Sequence, residues 1–75
     1  MYIIKETTEY RNGSTEESYF TGTGLWGIVE YSTNVRNAKQ FSTKKEAQNT
    51  IRDTLPDSKY RTYEIIKVGD QNARK

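Results

Sequence analysis

Only one stretch of this chain has the marks of a helix, and it shows both of its ends. Thr43-Lys44-Lys45-Glu46 is a capping box: the Thr43 hydroxyl can accept from the Glu46 backbone N–H, and the Glu46 carboxylate can reach back to the cap. Pro56 ends the segment, because proline disfavours the helical conformation in the residue before it. Between them Ala47, Ile51 and Leu55 recur at i, i+4 and i+8, a narrow apolar stripe. The spacing predicts a helix from Lys44 to Thr54 with one side buried and the rest wet.

The remaining apolar residues fall in short runs rich in Ile, Thr, Val and Tyr, the composition of strands. Tyr2 to Tyr10 is the first run, and Asn12-Gly13 after it suits a hairpin turn, since both residues tolerate positive φ. Ser18 to Thr21 resumes the strand. A two-residue turn would set Glu9 against Glu16, so a longer loop through Ser14-Thr15 serves equally well. Gly22-Thr23-Gly24 interrupts, and Leu25 to Tyr31 is the third run. Alternation puts Trp26 and Ile28 on one of its faces, and Leu25, Val29 and Tyr31 on the other. Ala38 to Phe41 is a turn or a brief strand. Tyr60 to Val68 closes the pattern, with Tyr63 and Ile65 opposite Ile66 and Val68. The order β-β-β-α-β predicts an α+β fold, a three- to four-stranded antiparallel sheet with one helix packed on one face. Residues 1–69 are expected to form this single domain and residues 70–75 a flexible polar tail.

One helix covers one face. Ile3 and Ile4, or Ile65 and Ile66, are neighbours on a strand and point to opposite sides. The second face is therefore expected to carry an uncovered apolar patch of a few hundred Å² at roughly the size that marks interaction sites. Trp26, Ile28, Tyr31 and Tyr63 are the candidate interaction residues.

Composition narrows the functions. The chain has 75 residues and neither Cys nor His. That removes disulfides, thiolate metal ligands, a nucleophilic thiol and the usual neutral-pH general base. No carboxylate pair shares a run with residues that could wall a pocket. The expectation is a protein that is not an enzyme, with no catalytic, cofactor or metal residues. Gly22-Thr23-Gly24-Leu25-Trp26-Gly27 spells the dinucleotide-binding pattern G-x-G-x-x-G, but a strand follows it where that site needs a helix. Asn12-Gly13-Ser14 spells a glycosylation site and reads as the hairpin turn. No run approaches the roughly 20 apolar residues of a membrane span. The start of the chain lacks the pattern of a signal peptide, so a cytoplasmic location is expected.

Charge is uneven along the chain. Residues 1–35 hold two bases and five acids, and residues 36–61 hold seven bases and three acids. Arg36, Lys39, Lys44 and Lys45 in the second segment are the candidate nucleic-acid contacts, since clustered bases can neutralise phosphates. The overall charge of +2 is small for that role.

Ala38, Phe41, Thr43, Lys44, Glu46 and Ala47, with the opening strand Met1-Tyr2-Ile3-Ile4-Lys5, give the chain a resemblance. Over roughly half its length it resembles small uncharacterised phage and prophage proteins of Gram-positive bacteria. That resemblance implies an accessory role in a bacterial host cell and carries no activity with it. The functional expectation is a protein-interaction module that binds a partner or itself as a homodimer. Nucleic-acid binding through the basic loop and helix start is the alternative.

Overall fold

A computed structural model describes residues 1–68. The strands are β1 (Tyr2–Glu9), β2 (Thr15–Thr23), β3 (Val29–Ser32) and β4 (Arg61–Lys67), and the helix is α1 (Lys44–Asp53). Tight 3-10 turns occupy Leu25–Gly27 and Val35–Asn37. The fold is α+β: a four-stranded antiparallel sheet in the order β3-β2-β1-β4, with α1 over β1 and β4. Because β3 and β4 are opposite edges, the chain between them must traverse the sheet, and α1 lies on that crossing. The tail expected at residues 70–75 lies outside the described residues.

The first hairpin takes the longer of the two loops. Tyr10 N–H donates to Ser14 O at 2.8 Å and Gly13 N–H to Tyr10 O at 2.9 Å, with Gly13 at φ +88°. The Asn12 side chain accepts from the Ser14 N–H at 3.0 Å. In the resulting register Glu9 faces Thr15 and Glu16 faces Thr8, so the two acids are not opposed.

The third strand is shorter than the apolar run suggests. It begins at Val29, not Leu25. Gly22, at φ +139°, takes a bulge between Phe20 and Gly22 that bends β2 without ending it. The reversal of chain direction therefore falls on the next residues. Gly24 N–H donates to Ile28 O at 2.8 Å, and Gly27 turns at φ +71°.

β1 and β2 pair from Lys5↔Tyr19 to Glu9↔Thr15. At the other end of β1 the segment before the helix joins the ladder. Lys39 N–H donates to Phe20 O at 2.8 Å, while Tyr2 and Phe41 exchange backbone bonds of 2.9 and 2.8 Å. This puts Phe41 under the helix, where its ring stacks on Phe20 at 6.2 Å between centroids. Ile4, Phe20, Phe41, Ala47 and Leu55 form the buried core, and Tyr2, Val29, Tyr31, Ile51, Tyr63 and Ile65 pack around it. The predicted stripe of α1 is thus the stripe it buries.

The other face departs from expectation. Ile3 pairs with Ile66 there and is only 4% exposed although no helix covers it. Next along β1, the Lys5 ammonium bridges Glu17 on β2 and Glu64 on β4, each at 3.5 Å. Both carboxylates raise the Lys5 pKa, Glu17 most, and burial opposes them. The open face thus buries Ile3 and carries an ion-paired lysine beside it.

Thr43 caps α1 as its sequence requires: its hydroxyl accepts from Glu46 N–H at 3.1 Å, and the Glu46 carboxylate accepts from Thr43 N–H at 3.4 Å. Thr43→Ala orphans that donor and should cost about 1 kcal/mol. Thermal melts should show a fall of about 4–8 °C.

Candidate functional site

The exposed apolar surface lies at the turn between β2 and β3. Leu25 is 82% exposed, Trp26 94% and Ile28 60%. The turn is held shut at its neck by the Gly24–Ile28 bond and inside by Gly27 N–H to Gly24 O and Ile28 N–H to Leu25 O, both 3.2 Å. Trp26 sits at φ +63°, ψ +20°, the left-handed region, and is the one residue other than glycine with positive φ among the described residues. An L side chain there costs about 1–2 kcal/mol. The chain therefore bears backbone strain and exposes an indole at the same residue. Neither serves packing. At the base of the turn the Glu30 carboxylate lies against Gly24, in the space a β-carbon would need. Glu30 makes no ion pair among the described residues.

The four candidate interaction residues do not share a surface. Trp26 and Ile28 belong to the turn, whereas Tyr31 and Tyr63 pack against the core beneath the helix. β3 begins only at Val29, so Trp26 and Ile28 lie outside the strand that carries Tyr31.

The basic residues are also divided. Arg36 lies in the Val35–Asn37 turn. Lys39 lines a hollow with Glu46, Asn49 and Thr50, and its ammonium lies 5.8 Å from the Phe41 ring centre. Lys44 and Lys45 open α1. Adjacent residues on a helix are turned by about 100°, so this pair does not form a row. The hollow that Lys39 lines also carries an acid, Glu46.

A second surface lies at the opposite end of the sheet, where β1 ends and β4 begins. Thr8, Tyr10, Arg11, Ser58, Tyr60 and Arg61 line an open hollow of about 370 Å³, together with Glu9. Tyr10 and Tyr60 are half-exposed. The Tyr10 hydroxyl donates to Glu16 at 2.6 Å, a bond that fixes the ring and raises its pKa. The Lys59 ammonium lies 5.3 Å from the Tyr60 ring centre. No strand pattern points to this hollow. Its one trace in the sequence is the dipeptide Tyr-Arg, present at residues 10–11 and again at 60–61. Antiparallel pairing of β1 with β4 brings the two copies together.

Between the core and this hollow sits a buried carboxylate. Glu6 is 5% exposed and takes weak bonds from Thr8 at 3.3 Å and Ser18 at 3.4 Å. Arg61 pairs with its other oxygen at 3.5 Å. The Tyr31 hydroxyl is buried without a hydrogen-bond partner. Burial first, and then the Glu6 charge, push its pKa well above the ordinary tyrosine value of 10.0.

Comparison of the chain with family models, curated proteins and solved structures finds no match. Among the described residues no helix is long and apolar enough to cross a membrane.

Two predictions follow from these environments. Because Trp26 carries strain and almost no burial, Trp26→Asn should melt no lower than the parent and up to about 4–8 °C higher. A clear fall would show that the indole makes native contacts. Tyr31 is protonated in both folded and unfolded chains below pH 10, so its contribution to stability is complete there. Above pH 10 the unfolded chain ionises first, and stability falls as pH rises. Absorbance titration should show one of the six tyrosines ionising only as the fold is lost, and Tyr31→Phe should remove that component.

Proposed function

We propose that this chain is a non-enzymatic protein-interaction module that docks through the Leu25-Trp26-Ile28 turn. The observation that carries this reading is the solvent-exposed indole on a strained, hydrogen-bonded turn. Tryptophan is the commonest kind of anchor at protein interfaces, where it fills a desolvated pocket on the partner. A turn already closed by its own backbone bonds loses little further freedom on binding, which lowers the entropic cost of docking.

The reading differs from docking through the open sheet face. That face carries Lys5 between two carboxylates and buries Ile3, so it offers charge where a partner would need apolar area.

The test compares two immobilised variants with equal melting temperatures. Trp26→Ser should lose at least about tenfold in affinity for a bound protein, on the scale of a 1.4 kcal/mol anchor. Thr62→Lys, an exposed change on the open face, should leave binding unaltered. Binding that survives Trp26→Ser and fails with Thr62→Lys would move the function to the sheet face.

A further inference from the structure

The turn and the hollow are complementary. The turn presents an indole and two aliphatic side chains above an unpaired carboxylate, Glu30. The hollow presents two half-exposed phenol rings beside two guanidiniums, Arg11 and Arg61, with one carboxylate, Glu9, also on its lining. Arg61 is already paired with Glu6, while Arg11 makes no ion pair among the described residues. The hollow is open to solvent and measures about 370 Å³, more than the roughly 150 Å³ of an enclosed cavity that holds a benzene ring. Guanidinium over tryptophan is the best of the cation–aromatic pairings.

Resting on the reading of Trp26 as an anchor, we infer that the partner is a second copy of this chain, joined head to tail: the Trp26 turn of one molecule seats in the Tyr10–Tyr60 hollow of the next, with Glu30 meeting Arg11. The two surfaces cannot meet within one molecule. The turn follows the last residue of β2, whereas the hollow is built at the last residues of β1 and the first of β4, which is the other end of the sheet. The described chain is 42 Å along its longest axis. Joined head to tail, two copies leave a free turn at one end and a free hollow at the other, so the assembly grows into a filament or closes as a larger ring.

Charge also separates this occupant from a lipid surface. An interfacial anchor places Lys or Arg beside its aromatic residues, to meet anionic headgroups. Here the charged group at the base of the turn is a carboxylate. Lys39, which lines a separate hollow beside Gly22 and Thr23, holds its ammonium toward the Phe41 ring instead.

The contact is small, so it belongs with weak interfaces, and association should appear between about 10 µM and about 2 mM protein. Trp26 is the sole tryptophan and reports on its own burial. Sedimentation and tryptophan emission are measured across that range on the full chain. The expected result is a mass that climbs past two copies, with emission shifting to the blue in step. Trp26→Ser and Arg11→Glu, both exposed changes, should each stay monomeric and keep the parent's melting temperature. Mixed together, the first still offers a hollow and the second still offers a turn. The mixture should stop at a one-to-one pair.

A chain that stays monomeric with unshifted emission at 2 mM overturns the inference. So does a plateau at two copies for the parent. Association that needs Trp26 but ignores both Arg11→Glu and Tyr60→Ser overturns the hollow as the seat and leaves the turn as an anchor. Association untouched by Trp26→Ser overturns both readings. A blue shift on adding phosphatidylcholine–phosphatidylglycerol vesicles to monomeric protein, without self-association, assigns the turn to a lipid surface instead.

Discussion

The structure depends on Phe41. Its backbone extends the ladder from Tyr2, and its ring stacks on Phe20. One residue thus ties β1, β2 and the start of the helix together. With few large side chains in the core, Phe20 and Ile4 being the largest wholly buried, each ring carries a large share of the stability. Truncating a buried Phe costs about 3–5 kcal/mol, while a domain of this length has about 4–11 kcal/mol in total. A thin core of this kind survives because its parts converge on one contact rather than being spread over the sheet.

The same economy explains the polar residues inside. The helix spans ten residues and covers the end of the sheet holding Ile4, Phe20 and Ile65. Farther along the same face stand Glu6, Ser18 and Arg61, and the Tyr63 hydroxyl donates to Pro56 O at 2.7 Å where the chain leaves the helix. Removing Arg61, itself partly exposed, leaves the buried Glu6 carboxylate without its ion-pair partner, which is costly. The Glu6–Arg61 pair therefore constrains the β1–β4 register in addition to filling space. On the open face Lys5 has the same effect across three strands, at greater exposure.

With the helix over one face and Ile3 buried on the other, the most exposed large apolar side chains, Leu25 and Trp26, stand at one end of the sheet. One end bears an apolar turn with an acid at its base, and the other an aromatic hollow with bases at its rim. An antiparallel sheet places its hairpin turns at its ends, and turns are free to vary without disturbing the core. The exposed apolar area at Leu25 and Trp26 follows that architecture.

The sequence by itself determined the local elements. The cap at Thr43, the stop at Pro56, the stripe Ala47–Ile51–Leu55, the hairpin at Asn12-Gly13 and the strand runs of β1 and β4 are all consequences of side-chain chemistry within a few residues. The α+β class follows from their order. What only the tertiary structure decided is where strands end and which side chains meet. Leu25 to Tyr31 has the alternation of a strand, yet a bulge at Gly22 carried β2 onward and moved the turn onto Trp26, because pairing partners outweigh propensity. The screening of Ile3 and the hollow between Tyr10 and Tyr60 depend on register between segments far apart in the chain. Register is set by cooperative pairing across the whole sheet, a property no single window of residues contains.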